Sequence, residues 1–153
     1  MVESAKKWPI DGLITMDDLY SDVCNYYENG YPKGYEAGIG EFDELLTFSG
    51  GQITILTGAP GSGKSEFIDY ITTSLARRHN WKFALCSFEN PAAIHVTKLM
   101  EKFVGLSFNF RKDPAHRMNV EEFKEAVYLT DLYFSFINIM QVDVTIQGIL
   151  DKL

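Results

Sequence analysis

Leu56–Phe67 reads LTGAPGSGKSEF. Three glycines and a proline fall between Gly58 and Gly63, and Lys64 and Ser65 follow at once. A backbone so stripped of side chains is one that something large must approach closely. Gly58 to Ser65 satisfies GxxxxGK followed by Ser or Thr at every fixed position. It lies between a β-branched run, QITILTG, and an amphipathic stretch from about Lys64 to Arg77, the strand–loop–helix setting in which this pattern cradles phosphates. The amides of Gly61, Ser62, Gly63 and Lys64 form an anion nest, and the helix that starts there adds its positive end. Lys64 would reach the β- and γ-phosphates of ATP and Ser65 would ligate Mg²⁺. The expected nucleotide cradle is Gly58, Ala59, Pro60, Gly61, Ser62, Gly63, Lys64, Ser65 and Glu66.

Hydrolysis needs more than a cradle. A carboxylate at a strand end must hold the metal, and another group must orient water. The next apolar run, WKFALCSF, is followed by Glu89, placed where sites of such sheets gather. Glu89 reads equally as a general base for water or as a carboxylate stabilised by the helix N-terminus that follows. The metal acid is not evident: the third apolar run, LYFSFINI, ends at Asn138, and neither Asp143 nor Asp151 closes a strand.

Outward from the loop, the elements alternate. Thr15 with Asp18 makes a capping box for a helix whose Leu19, Val23 and Tyr26 share a face, stopping near Asn29 and Gly30. A Gly- and Tyr-rich hinge follows, then a short helix at Glu41–Leu46. The helix after the loop carries Phe67, Ile68, Ile71 and Leu75 on one side. Asn90 caps a helix with Pro91 first and Ala92, Val96, Leu99, Met100 and Phe103 inward. Asn119 and Glu122 make a second capping box, for a helix that turns Val120, Phe123 and Val127 inward. TIQGILDKL opens a last helix. The order predicts an α/β fold around a mainly parallel sheet with about three core strands, fewer than such sheets usually hold.

Composition narrows the class. The 153 residues are 46% apolar and 23% charged, a globular balance. The net charge of −7 disfavours unaided binding to nucleic acid, although one basic patch can sit on an acidic body. Cys24 and Cys86 are too few and too scattered for a disulfide framework or a zinc site, and Cys86 reads as a small buried hydrophobe. His79, His95 and His116 have no metal-like spacing. Arg77, Arg78 and His79 sit at a helix end, where the dipole accounts for them. Lysines near the N-terminus precede no apolar run, and LYFSFINIM is too short for a bilayer, so a soluble intracellular protein with no membrane association is expected.

FDELLTFSGGQITILTGAPGSGKSEFIDYI, WKFALCSFEN and KLMEKFVG together resemble the RecA-like motor domain of DnaB- and Twinkle-type hexameric replicative helicases, in the branch of phage and TOPRIM-bearing primase–helicases. The resemblance runs from about Gly34 onward. It implies a P-loop motor driven by ATP and Mg²⁺, acting on single-stranded DNA as a homo-hexamer with nucleotide between subunits. It implies that Lys64 and Glu89 are catalytic, Glu89 activating water. It implies an N-terminal arm and linker helix over residues 1–33, which packs on its own domain or on a neighbouring subunit, and the first part of the ATPase domain over 34–153. The family's magnesium-binding Asp, DNA loops and arginine finger have no counterpart here, so this chain alone is expected to hydrolyse little ATP. A regulatory nucleotide-binding module and a small-molecule kinase share the loop and are the competing readings. The expected setting is the cytoplasm of a bacterial or phage-infected cell.

Overall fold

In the computed structural model, residues 12–87, 91–109, 115–137, 145, 147–148 and 151 are described. The chain divides into two compact units, Met1–Gly34 and Tyr35–Leu153.

The first unit holds helix α1, Met16–Asn29. Its start is set locally. One carboxylate oxygen of Asp18 accepts from the Thr15 amide at 2.8 Å and from its hydroxyl at 2.7 Å, which holds the Asp18 carboxyl below its ordinary range. Gly30, at φ 77°, ends the helix, and its amide donates to the Tyr26 carbonyl at 2.9 Å.

In the second unit, α2 is the single turn Phe42–Leu45. The Asp43 carboxylate accepts from the amides of Ala37 and Ile39, each at 2.7 Å, and so ties the preceding turn to α2. Helix α3, Lys64–His79, follows the glycine loop and ends on Asn80 in the left-handed conformation. Strand β1, Phe83–Leu85, then α4, Ala92–Val104, then α5, Val120–Tyr133, lead into β2, Phe134–Phe136. β1 and β2 pair in parallel, with Phe83 opposite Phe134 and Leu85 opposite Phe136. A parallel pair requires a long crossover, which α4 and α5 supply. The described fold is thus mixed helix and strand with a small parallel two-stranded sheet, compatible with an α/β class.

Helix α3 is held on two sides, and this positions the loop at its start. Ala76 faces one cluster with Leu99, Phe103 and Phe134. Ile71 and Leu75 face another with Ala37, flanked by Phe42, Phe48, Phe67 and Trp81. A third cluster, Met100, Met118 and Ala126, joins α4 to α5.

Several expectations need correction. The run QITILTG is not a paired strand among the described residues: Ile53 is 91% and Ile55 79% exposed. β1 and β2 pair with each other, and QITILTG joins neither of their outer edges, so its β-branched side chains gain no cross-strand packing. Pro91 stands at the cap of α4 rather than in its first turn, and Asn90 lies outside the described residues. On α5 the buried side chains are Ala126 and Thr130, while Val120, Phe123 and Val127 are exposed. Small side chains let α5 approach α4 closely at Met100 and Met118, and that contact outweighs the bulkier stripe. Cys86 is half-buried and, like Cys24, is a free thiol. The last helix lies mostly outside the described residues, as do Asn138 and Asp143.

The second capping box is fully formed. Asn119 Oδ1 accepts from the amides of Glu121 at 2.8 Å and Glu122 at 2.9 Å, and Glu122 Oε2 accepts from the Asn119 amide at 2.7 Å. Asn119→Ala leaves two donors to water and is expected to cost about 1 kcal/mol in urea denaturation. A loss near zero would mean that the cap adds nothing to α5.

Candidate functional site

The loop and the first turn of α3 come together as a donor-rich concavity. Gly61 and Gly63 have φ of 74° and 87°, the left-handed region that side chains resist, and nothing stands where their Cβ atoms would be. The chain therefore turns sharply and leaves open space inside the turn. Pro60 and Gly61 form its corner, and the Ser62 amide donates back to the Ala59 carbonyl at 3.3 Å. Among the described residues the amides of Gly61, Gly63, Lys64, Ser65 and Glu66 donate to no protein acceptor. These are the orphan donors of a helix start, and α3 is long enough, at 16 residues, to add its dipole.

Lys64 lies across the loop. Its ammonium donates to the Gly58 carbonyl at 2.9 Å and to the Ala59 carbonyl at 2.7 Å. A Cβ on Gly58 would meet Ser62 Oγ at 3.2 Å and the Lys64 stem at 3.6 Å, so glycine there leaves room for the lysine to fold over. Ser65 is exposed beside it, on the first turn of α3. Orphan amides, one cation and one hydroxyl suit a phosphate group and its metal.

The Glu66 carboxylate faces away from this cradle. It accepts from Lys102 at 2.6 Å and from Lys98 at 2.8 Å, both on α4. Lys102 first, then Lys98, pulls its pKa down from 4.5 to about 2. Glu66 thus bridges two helices, and only its amide belongs to the cradle. A carboxyl whose pKa is lower in the folded state stabilises fully above its unfolded value. That contribution is lost as pH falls from about 4.5 to about 2. The side chain is half exposed, so the bridge is worth at most about 1 kcal/mol. The stability gap between the native chain and Glu66→Gln is expected to close across that window. A gap that holds constant down to pH ~2 would show that the bridge is inert.

One buried pair escaped the sequence reading. Asp69 on α3, nearly inaccessible, meets His95 Nε2 on α4 at 2.8 Å. His95 Nδ1 is buried with no partner among the described residues, and its ring lies edge-on to Phe136. No sequence signal marks this pair, because 26 residues separate its members.

Glu89 lies outside the described residues. Among the described residues no group of three or more His, Cys, Asp or Glu is placed to hold a metal ion, and Asp151 is taken up locally by the Gln147 amide at 2.7 Å. No described helix is long and apolar enough to cross a membrane.

No family model matches the chain, and no solved structure does. The chain is 38% identical over 136 residues to the Twinkle homolog protein, chloroplastic/mitochondrial, of Arabidopsis thaliana. The match takes in 85% of this chain and 19% of that protein, so the chain spans about a fifth of the relative's length. The relative's organellar name overturns the expected bacterial or phage-infected cytoplasm. The bacterial or phage setting came with the resemblance to DnaB-type and phage helicases, and the intracellular part from the lack of an apolar run near the N-terminus. Such a lack speaks against a secretory signal, whereas organellar transit peptides are amphipathic and carry no such run. The similarity to a Twinkle homologue supports a helicase-related family for this chain.

Proposed function

We propose that Gly58–Ser65 binds the phosphates of ATP with Mg²⁺, and that the chain is part of a RecA-like motor of a replicative DNA helicase. The carrying observation is the ring of unpaired amides at the start of α3, closed over by Lys64. Lys64 exchanges its two carbonyl partners for phosphate oxygens, a charge-assisted and stronger bond. Ser65 offers its hydroxyl to Mg²⁺, and the amides of Gly61 and of Gly63 to Glu66 hold the phosphates in place. Bound ATP supplies the phosphoryl transfer that drives such motors. The resemblance to ring helicases and the Twinkle similarity support two further roles. Glu89 serves as the base that activates water, and the whole protein acts as a ring, a hexamer, on single-stranded DNA.

Calorimetric titration of this chain with Mg-ATP tests the cradle: saturable binding is expected, and none up to millimolar ATP would overturn it. ATPase activity of the full-length protein, with and without single-stranded DNA, tests the motor. Stimulation by DNA supports it, and turnover indifferent to DNA contradicts it.

A further inference from the structure

The outer flank of α3 carries a second donor-rich hollow. A cavity of about 400 Å³ is lined by Tyr70, Thr73, Ser74, Arg77 and Arg78 of α3 and by Lys102 of α4. On a chain of net charge −7, three cations from two helices converge there. Their bonding leaves much of their donor capacity unspent. The Arg77 guanidinium, with five N–H groups, donates to the Phe103 carbonyl at 3.1 Å. Lys102 gives one bond, to Glu66. Arg78 and the Tyr70 hydroxyl make no hydrogen bond among the described residues. The guanidinium of Arg78 lies against Gly38, where a Cβ would stand 2.3 Å away, so that glycine (φ +78°) makes room for it. Thr73 and Ser74 turn their hydroxyls to main-chain carbonyls, of Asp69 and of Ala37. The neighbouring carboxylate, Glu66, is already bonded to two lysines. The helix dipoles account for Arg77 and Arg78 at the end of α3 and for Lys102 in the last turn of α4, but not for their meeting around one hollow.

We infer that this groove binds phosphate oxyanions, at a site separate from the glycine loop. Two forms of that chemistry fit: the phosphodiester backbone of a single strand, and free phosphates. The test uses the chain carrying Lys64→Ala, so that the glycine loop contributes little. A short labelled oligodeoxythymidylate is followed by fluorescence anisotropy and inorganic pyrophosphate by calorimetry. Arg78→Glu, at a side chain with no hydrogen bond among the described residues, is expected to weaken binding roughly tenfold. Adding Arg77→Glu should weaken it further. Lys82→Glu with Lys124→Glu, a charge change equal to that of the Arg77 and Arg78 pair on exposed sites elsewhere, should leave it nearly unchanged. For the oligonucleotide, the log affinity should fall with log salt at a slope of about −2 for three cations. Binding of the oligonucleotide alone identifies the phosphodiester backbone as the ligand, and binding of pyrophosphate alone identifies free phosphates. Binding of neither overturns the site, as does equal loss in the Lys82 and Lys124 variant or no loss in Arg78→Glu.

Discussion

Leu99→Ala is expected to destabilise the chain by about 3–5 kcal/mol in urea denaturation. Leu99 is fully buried on α4 and touches the cluster of Ala76 from α3, Phe103 from α4 and Phe134 from β2. Two of these neighbours are aromatic rings held in mutual edge-on contact at 5.7 Å, so they are poorly placed to collapse into the void. Ala76 is too small to reach across it. The cost therefore includes most of the cavity as well as the lost transfer energy. Domains of this size hold only about 5–15 kcal/mol, so such a loss depletes the folded population at modest denaturant. Leu99→Met, which keeps the volume, should cost under about 1.5 kcal/mol. If alanine costs no more than methionine, the α3–α4 contact is not the core, and the support argued for the glycine loop disappears with it.

Lys64→Ala is expected to weaken Mg-ATP binding by roughly 10- to 100-fold, the worth of a hydrogen bond to a charged group. Thermal stability should be unchanged. Among the described residues the Lys64 ammonium bonds only to the Gly58 and Ala59 carbonyls, both exposed, and water replaces it there without leaving a buried group unpaired. That separation distinguishes a ligand-binding lysine from a structural one. Unchanged affinity would remove the loop from the proposed function, and a falling melting temperature would mean that the lysine holds the loop together. Calorimetry and a thermal melt on one preparation read both.

What was legible in the sequence is what short stretches settle by themselves. The glycine loop is readable because the residues that form it are contiguous: glycines where φ is positive, then a lysine, then a helix. Both capping boxes are readable because three residues separate their partners. Three of the corrections involve distant partners. QITILTG has the residues of a strand, but strand pairing is a property of two segments, and the pairing goes to Phe83–Leu85 and Phe134–Phe136. Val120, Phe123 and Val127 recur at helical spacing, yet α5 turns Ala126 and Thr130 inward because the fit against α4 favours small side chains. Glu66 directly follows the motif, but two lysines on α4 claim its carboxylate.

The sequence alone thus determined the sharp glycine turn and the two capping-box helix starts, since each depends on backbone freedom and hydrogen bonds within a few residues. Only the tertiary structure decided which strands pair, which face of α5 is covered, and that Asp69 meets His95 and Arg77 shares a groove with Lys102. The energies of those choices come from close packing and charge contact between helices, and such terms exist only once the chain has brought the helices together.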